Sequence, residues 1–366
     1  MTTLLLAGGG TAGHVNPLLA IADRLRDHHP DAEVIVLGTA EGLESRLVPA
    51  RGYQLLTVPR LPFPRRPGGY ALRFPARYRA AVREVERILA ERDVDVVVGV
   101  GGYASAPAYS AARRRGTPLA IHEANARPGW ANRLGARSAG AIGIAFRGTP
   151  LTGRRTKPEF VGMPLRPEIE RLAAPGARVA ARPEARAFFG LDPERPVLLV
   201  TGGSSGAQRI NESVTSAAPA IVAAGWQILH LTGEYRDEVA ADVPGYHPVR
   251  YADRMDLALA AADLAVSRAG TSTVAELSAL GVPAVFVPYA VGNGEQRLNA
   301  AESVQAGGAL LVEDSAFTPE YAAGELVGLL RDPDRIRAMA DRMASVGVPD
   351  GTDRMVRLIE RLLPAA

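Results

Sequence analysis

The sequence contains no cysteine, which excludes disulfide bonds, thiolate metal sites and thiol nucleophiles. Its formal net charge is only +3, too small to indicate a nucleic-acid partner. It also lacks a run of about 18 apolar residues, the length that a membrane-spanning helix needs, and residues 1–7 enter a strand pattern without a basic leader. We therefore expect a protein that stays in the cytoplasm.

Short runs rich in leucine and β-branched residues alternate with longer segments rich in alanine, arginine and glutamate. This alternation is typical of β-α-β units in a parallel sheet. At 366 residues the chain exceeds the size at which one hydrophobic core usually stops growing. We predict an α/β fold of two doubly wound, Rossmann-like domains facing a cleft. Its strands are expected at 3–7, 34–38, 54–58, 94–100, 118–121 and 141–145, and at 197–201, 227–231, 249–252, 264–267, 284–287 and 309–312.

A segment of poor periodicity, residues 149–196, separates the two sets of strands. The two halves open alike, with Leu-Leu-Leu-Ala-Gly-Gly at 4–9 and Leu-Leu-Val-Thr-Gly-Gly at 198–203. We place the boundary near 162–166, which predicts domains 1–163 and 164–344. The last segment, about 345–366, has one apolar helical face and is expected to pack back onto the first domain.

Three predicted strands run through glycine into a helix, at 8–13, 202–207 and 268–273. The first has G-x-G-x-x-G spacing, with Asn16 and Pro17 taken as the start of its helix. Such helix starts can present N–H groups to a diphosphate, and Arg268 at the third favours an anionic leaving group. The alternative for the first loop is a tight turn that only permits strand–helix packing, because Glu33 begins the next strand and is displaced from the position of a dinucleotide-binding acid.

Polar side chains after the third strand end suit a nucleotide sugar. Glu276, one turn into the third helix, can accept both hydroxyls of a ribose, although Thr273 and Glu276 also have the spacing of a capping box. Gln296 and Asn299 offer uncharged donors and acceptors for sugar hydroxyls, although such residues also cap helices. The residues alone leave both interpretations open.

Taken in order, these segments resemble the MurG family over nearly the whole chain. The pieces that carry the resemblance are Gly-Gly-Thr-Ala-Gly-His at 9–14, Gly-Gly-Tyr at 101–103, His-Glu-Ala-Asn at 122–125 followed by Gly129 and Asn132, the 202–207 loop with Asn211, the 268–276 block, and Gln296 with Asn299 and Ala300. Each piece alone is unspecific, but their order and spacing together are specific.

The resemblance implies a GT-B glycosyltransferase fold. It implies UDP-N-acetylglucosamine as donor and undecaprenyl-diphospho-N-acetylmuramoyl-pentapeptide as acceptor, with inversion at the anomeric carbon and a β-1,4 linkage. Domain 1–163 would face the acceptor and the membrane, and domain 164–344 would hold UDP. The implied substrate contacts are Thr11, Ala12, Gly13, Asn125, Arg166, Ser204, Thr271, Ser272, Thr273, Val274, Ala275, Glu276 and Gln296, to which the residue patterns add Arg268 and Asn299.

A peripheral enzyme of peptidoglycan synthesis at the cytoplasmic face of the plasma membrane is therefore expected, with cell-wall synthesis proteins as further partners. Three positions depart from the family pattern: Ala124 and Ser205, where glutamine is common, and Met163, where many members have asparagine. They bear on fine specificity rather than on the reaction. The alternatives are a glycosyltransferase of the same fold with a natural-product acceptor, a UDP-sugar epimerase, a nicotinamide oxidoreductase and a non-catalytic nucleotide-sugar sensor.

His14 is the candidate base that takes the proton from the acceptor hydroxyl, because histidine titrates near neutral pH. Glu123 is the reserve candidate. A histidine that only hydrogen-bonds the loop, or that orients the acceptor diphosphate, is the alternative. No bound metal is expected to be required, because the glycine loops contain neither paired histidines nor an Asp-x-Asp cluster.

Residues 60–79 contain six arginines and no acid, interleaved with Leu61, Phe63, Tyr70, Leu72, Phe74 and Tyr78. Such a segment can place apolar side chains among lipid headgroups while its arginines meet anionic lipid. The alternative is a proline-rich, solvated loop.

Overall fold

The computed structural model describes residues 2–64, 66–203, 206–233, 243–289 and 294–364. The chain forms two compact units. One consists of Met1–Arg166 and Asp350–Ala366, and the other of Pro167–Pro349.

The first unit is built on a parallel sheet, which has seven strands within the described residues. They are β1 (Thr3–Gly8), β2 (Glu33–Gly38), β3 (Gln54–Thr57), β4 (Val96–Gly101), β5 (Leu119–Glu123), β6 (Ala141–Ile144) and β7 (Glu159–Phe160). The strands lie in the order β3-β2-β1-β4-β5-β6-β7. Successive strands are added on one side of β1 as far as β3 and on its other side from β4 onwards, so the order of addition reverses between β1 and β4. Doubly wound sheets bind ligands at this reversal, beyond the carboxyl ends of the strands.

Helices cover both faces of this sheet. They are α1 (Ala12–His28), α2 (Glu44–Ala50), α3 (Gly69–Glu91), α4 (Ser105–Arg115) and α5 (Trp130–Gly135). Leu4, Leu5 and Leu6 of β1 are at most 1% exposed and pack alternately into the two core layers. Burial on both faces explains why the strand is continuously apolar, and each such leucine contributes about 1.5–3 kcal/mol to stability.

The second unit repeats the plan with six strands among the described residues. They are β8 (Val197–Thr201), β9 (Gln227–Leu231), β10 (Tyr246–Val249), β11 (Leu264–Ser267), β12 (Ala284–Phe286) and β13 (Ala309–Leu311). The order β10-β9-β8-β11-β12-β13 places the reversal between β8 and β11. A second ligand-binding edge is therefore available where these two strands end.

The helices of the second unit surround this sheet. They are α6 (Pro167–Ala173), α7 (Ala177–Phe188), α8 (Gln208–Ala223), α9 (Met255–Ala261), α10 (Thr271–Ala279), α11 (Glu295–Asn299), α12 (Ala301–Gln305), α13 (Pro319–Tyr321), α14 (Val327–Leu330) and α15 (Pro333–Ser345). A single 3₁₀ turn covers Asp314–Ala316, and a π-turn covers Ala322–Leu326.

The chain then returns to the first unit as α16 (Gly351–Glu360). Met355 and Ile359 of this helix lie in the same buried cluster as Leu4 and Leu6 of β1 and Leu18 of α1. The last helix thus completes the core layer on one face of the first sheet.

Most predicted strands agree with the structure to within two residues at each end, but the strand predicted at 249–252 is wrong. β10 covers Tyr246–Val249 and lies at the edge of its sheet. Pro248 weakens the strand pattern here because it has no N–H for the ladder, but an edge position tolerates proline. The two-residue strand β7 was not predicted.

Among the described residues, no helix combines the length and the apolar character that a bilayer-spanning segment requires.

Candidate active site

In the first unit, the loops that follow β1 and β4 interlock at the reversal of the sheet. Gly102 has φ +94°, and a Cβ on it would lie 2.4 Å from the carbonyl oxygen of Gly9. The Ser105 hydroxyl lies 2.9 Å from the carbonyl oxygen of Ala7 and 2.8 Å from that of Gly101. The two strand ends are therefore held together, and only glycine permits the approach at residue 102.

Helix α1 begins at Ala12, not at the predicted Asn16 and Pro17. Thr11 is its N-cap residue, with extended backbone and no side-chain cap hydrogen bond, and Pro17 lies inside the helix. The Asn-Pro pair has the composition of a helix start, but the glycine turn already ends at residue 11. As a result Ala12, Gly13 and His14 form the first turn of the helix.

His14 is half-buried at this helix start. Its Nδ1 lies 3.2 Å from the Thr11 hydroxyl, and its Nε2 lies 3.1 Å from where a Cβ on Gly101 would be. Burial lowers the pKa of His14 below its usual value of 6.5, and the Glu44 carboxylate partly opposes the change. When Nδ1–H donates to Thr11, Nε2 carries the lone pair that a base needs.

Part of the first glycine loop is bound by a protein carboxylate. The Gly10 N–H donates to the Glu44 carboxylate at 2.7 Å, and this side chain also occupies the space where a Cβ on Gly9 would lie. At Gly10 the loop therefore binds a protein carboxylate, and the binding of a diphosphate by the other N–H groups of this helix start stays a prediction. Glu44 was missed because it follows β2 by six residues, on the next helix.

Glu123 organises the loop after β5. One carboxylate oxygen accepts the Asn125 N–H at 2.9 Å, and the other accepts the Gly129 N–H at 2.8 Å and the Asn132 amide at 2.9 Å. The residue is 1% exposed, and burial raises its pKa against the effect of these hydrogen bonds. Glu123 is therefore a scaffold for Asn125, and the reserve role as general base is not supported by this geometry.

Two neighbours of Glu123 were not predicted as site residues and complete this scaffold. The Tyr109 hydroxyl donates to the Asn132 side chain at 2.7 Å, and both residues are buried. Buried His122 donates from Nε2 to the carbonyl oxygen of Gly162 at 2.9 Å. Gly162 lies four residues before Arg166, a half-buried residue at which this part of the first unit ends. Because Asn125 lies at the carboxyl end of β5, these contacts fix its position relative to the sheet.

In the second unit, the glycine loop after β8 leads directly into α8. A Cβ on Gly202 would lie 2.3 Å from the amide nitrogen of Ala207, so the strand end approaches the helix start closely. Gly203 and Gly206 have φ of +81° and +68°, where glycine is favoured. Ser204, the predicted phosphate contact, and Ser205 lie outside the described residues.

The start of α10 lies at the carboxyl end of β11, beside the reversal of the second sheet. Gly270 is the N-cap residue and provides no side-chain cap hydrogen bond, so the helix begins at Thr271. The Ser272 hydroxyl oxygen is buried without a hydrogen-bond partner among the described residues. Buried polar groups are normally paired, and a bound ligand at this helix start would supply the partner.

The capping-box interpretation of Thr273 and Glu276 is wrong, because both residues lie beyond the N-cap of α10. Glu276 is 7% exposed, one turn into the helix. Ala275 is half-buried. Val274 is 2% exposed and its N–H donates to Gly270, so it belongs to the core rather than to the predicted contacts.

Two further predicted contacts have scaffold roles. The Arg268 guanidinium donates to the carbonyl oxygens of Val287 at 3.0 Å and Pro288 at 3.2 Å and pairs with Asp314, so its charge is neutralised locally. Asn299 is 1% exposed and donates to Ala269 at 3.3 Å. Direct binding of a substrate by either side chain is therefore not supported.

Gln296 is half-buried, whereas Asn299 is buried. Its side-chain oxygen accepts the Tyr289 N–H at 2.8 Å, which orients the carboxamide. The amide nitrogen is the part of this side chain that can donate to a sugar hydroxyl.

An aromatic patch lies on the surface of the first unit and consists of Phe63, Tyr70, Phe74 and Trp130. Leu72 is exposed on the same helix as Tyr70 and Phe74. The ring centroids of Phe63 and Trp130 are 4.4 Å apart, and those of Phe63 and Phe74 are 5.6 Å apart. Leu72 is 84% exposed and Trp130 59%. Two further members of the predicted segment do not belong to the patch: Leu61 is 7% exposed, and Tyr78 donates its hydroxyl hydrogen to Ala106 at 2.8 Å.

The part of the chain that the structure describes contains no cluster of three or more histidine, aspartate or glutamate side chains arranged to hold a metal ion.

Comparison with known proteins matches both units to one enzyme family. The model of the glycosyltransferase family 28 N-terminal domain matches residues 4–144, and that of the family 28 C-terminal domain matches residues 197–355. A curated relative from Leifsonia xyli subsp. xyli is 60% identical over 366 residues, covering 100% of both chains. It is named UDP-N-acetylglucosamine--N-acetylmuramyl-(pentapeptide) pyrophosphoryl-undecaprenol N-acetylglucosamine transferase.

Solved structures agree with this match. The crystal structure of Acinetobacter baumannii MurG is similar with a TM-score of 0.79 and 28% identity, over 99% of this chain and 100% of that one. The UDP-GlcNAc 2-epimerase of Neisseria meningitidis, bound to UDP-GlcNAc, has a TM-score of 0.68 at 14% identity, over 99% of this chain and 100% of that one. At that identity the likeness shows the fold alone.

Proposed function

The chain belongs to the MurG family within glycosyltransferase family 28, and from that premise we propose that it converts a lipid-linked N-acetylmuramoyl-pentapeptide into its N-acetylglucosaminyl product. The donor is UDP-N-acetylglucosamine, and the acceptor is undecaprenyl-diphospho-N-acetylmuramoyl-pentapeptide. The C4 hydroxyl of the acceptor attacks the anomeric carbon, the bond to the diphosphate breaks, and UDP leaves. The hydroxyl proton passes to a base, and the linkage formed is β-1,4.

The start of α10 is the observation that carries the donor side of this proposal. It combines a helix N-terminus without a side-chain cap hydrogen bond, the Ser272 hydroxyl, which is buried and unpartnered among the described residues, and the Glu276 carboxylate one turn further on. A helix N-terminus favours a diphosphate, and a carboxylate accepts the hydroxyls of a ribose. Together they suit the two ends of a uridine diphosphate.

We propose Thr271, Ser272, Thr273, Glu276 and Gln296 as donor contacts in the second unit, with Ser204 and the backbone of Ala275 beside them. Thr11, Ala12, Gly13, Asn125 and Arg166 are the contacts we propose from the first unit, on the basis of the family resemblance. His14 is the proposed base, because it lies at the ligand-binding edge of the first sheet and burial keeps its ring neutral. Domain 1–163 is the proposed acceptor domain, and 164–344 the proposed donor domain.

Release of UDP tests the reaction. A transferase releases UDP from UDP-N-acetylglucosamine in proportion to an added lipid-linked acceptor analogue, whereas an epimerase changes the donor sugar without an acceptor. A coupled assay detects the UDP, and we expect UDP release only in the presence of the acceptor. Equal UDP release without the acceptor, or none with it, would contradict the proposal.

A transferase with a polyprenyl-linked acceptor must work at a lipid surface, and we propose that the aromatic patch provides the contact. The patch exposes apolar rings, and Leu72, Arg66, Arg73 and Arg77 are exposed on the same segment of the chain. Apolar side chains enter the headgroup region, and each arginine near an anionic surface adds about 1 kcal/mol. The proposed location is the cytoplasmic face of the plasma membrane, with cell-wall synthesis proteins as neighbours.

Co-sedimentation with vesicles measures this contact. We expect binding to vesicles that contain anionic lipid, weakened by added salt. We expect Leu72→Glu to weaken it further, because a charge replaces an apolar side chain that is 84% exposed in this segment. Val179→Glu is the matched control, since Val179 is 70% exposed in the second unit. If vesicle binding does not depend on salt or on lipid charge, the proposed electrostatic contribution is wrong. If the Leu72 and Val179 variants bind equally, the proposed apolar contribution is wrong.

A further inference from the structure

The Glu44 carboxylate is bound by three donors from two loops of the first unit. One oxygen accepts the Gly10 N–H at 2.7 Å, and the other accepts the Thr39 N–H at 2.9 Å and the Thr39 hydroxyl at 2.7 Å. Gly10 belongs to the loop that leads into α1, and Thr39 directly follows β2. Glu44 is therefore a bridge between the ends of β1 and β2, and it is 1% exposed.

The surrounding glycines provide the space for this side chain. A Cβ on Gly9 would lie 2.3 Å from a carboxylate oxygen of Glu44, one on Gly42 would lie 2.0 Å from the other, and one on Gly38 would lie 2.6 Å from Cγ. Gly9 and Gly10 also have φ of +142° and +95°. Gly9 and Gly10 of the first loop thus fit a protein carboxylate.

Glu44 keeps its negative charge in this site. Burial alone would raise the pKa of Glu44, but the hydrogen bonds from Gly10 and Thr39 outweigh it and hold the pKa below the usual 4.5. This charge acts on His14, whose pKa it raises against the lowering by burial. Buried His122 also interacts with His14, and burial lowers the pKa of His122 to about 4 and keeps its ring neutral. The exposed Arg60 guanidinium interacts with the Glu44 charge.

We propose that Glu44 is a positioning residue for the transfer reaction: it fixes the glycine loop before α1 and thereby places the His14 ring at the end of β4. The assignment rests on the proposed role of His14 as the base. Glu44 acts through the Gly10 amide and through its charge, and it makes no contact with substrate.

Histidine-selective NMR and steady-state kinetics on the full chain test this proposal. Glu44→Gln removes the charge with little change in shape, and Glu41→Gln is the matched control because Glu41 is an exposed acid on the same turn. The His14 signal is identified by its loss in His14→Gln. In Glu44→Gln we expect a lower pKa for His14 and a turnover reduced by about 10-fold to 100-fold, the loss typical of a displaced catalytic group. The affinity for UDP is expected to remain unchanged.

An unchanged His14 pKa together with normal turnover in Glu44→Gln would overturn the proposal. If Glu44→Gln does not fold, Glu44→Asp serves instead, because its shorter side chain retains the charge but cannot reach both Gly10 and Thr39. Reduced turnover in folded Glu44→Asp supports the positioning role, and wild-type turnover overturns it. If His14 is not the base, the pattern is different: His14→Gln would be active, while the pKa of His14 would still change in Glu44→Gln.

Discussion

Replacing His14 with alanine is expected to lower the turnover number by about 10²-fold to 10⁴-fold, the usual loss when a general base is removed. The ring lies at the ligand-binding edge of the first sheet, with Nδ1 near the Thr11 hydroxyl and Nε2 near Gly101. The affinity for UDP is expected to change little, because the proposed UDP contacts lie mainly in the second unit. The melting temperature is expected to stay within about 4 °C, since the side chain is only half-buried.

The pH dependence of kcat/KM should show which protonation state of His14 is active. A base acts in its neutral form, so activity is lost as the pH falls through the pKa of His14. Because burial lowers this pKa below 6.5, the wild-type enzyme is expected to keep its activity through neutral pH and lose it only in the acidic range.

His28→Ala is the matched control, because His28 is a histidine at the opposite end of the same helix, paired with Glu360. We expect wild-type kinetics for this variant. Near-normal turnover in His14→Ala would refute the base assignment. Equal losses in turnover, UDP binding and melting temperature would assign His14 to the structure of the loop instead.

Replacing Glu276 with alanine is expected to raise the KM for UDP-N-acetylglucosamine by about 10-fold to 150-fold, the loss of one charge-assisted hydrogen bond of about 1.5–3 kcal/mol. Contacts to the ribose act in the ground state and in the transition state alike, so kcat is expected to change less than KM. Calorimetric titration with UDP should show a matching loss of affinity.

Glu320→Ala is the control for this variant, because Glu320 is an exposed acid elsewhere in the second unit. Glu276→Gln separates shape from charge, and an intermediate KM is expected because the amide retains one acceptor. Unchanged donor kinetics in folded Glu276→Ala would assign the carboxylate to packing at the start of α10. A loss in melting temperature alone would lead to the same conclusion.

The sequence was sufficient to predict most of the sheet architecture, because buried parallel strands are continuously apolar and their ends are marked by glycine. Val197–Thr201, Gln227–Leu231 and Leu264–Ser267 occupy the predicted residues. The two start signals of α1 conflicted, however. The Asn16 and Pro17 pair indicates a helix start, but hydrogen bonds to the Thr11 carbonyl begin the helix one turn earlier.

The roles of single polar side chains were harder to predict, because they depend on partners distant in sequence. In the sequence, Arg268 beside a helix start indicates a phosphate ligand. In the structure, Asp314 neutralises its charge from 46 residues further along the chain. Glu44 contacts Gly10 across 34 residues. No local pattern marks either contact.

The aromatic patch shows the same limit at the surface. The arginine-rich segment was recognised from its composition, but Trp130 joins it only through the fold, by stacking near Phe63. Leu61 has the same apolar character as its neighbours but is buried. Composition therefore indicated the region, and packing decided which side chains are exposed.

The mass of the product tests the central claim most directly. The purified full chain is incubated with UDP-N-acetylglucosamine and a lipid-linked N-acetylmuramoyl-pentapeptide analogue, and the lipid fraction is analysed by mass spectrometry. The account predicts that the acceptor gains one N-acetylhexosamine while UDP appears in equal amount, and that both form about 10²-fold to 10⁴-fold more slowly in His14→Ala. An acceptor of unchanged mass beside a donor that is epimerised or left intact would contradict it.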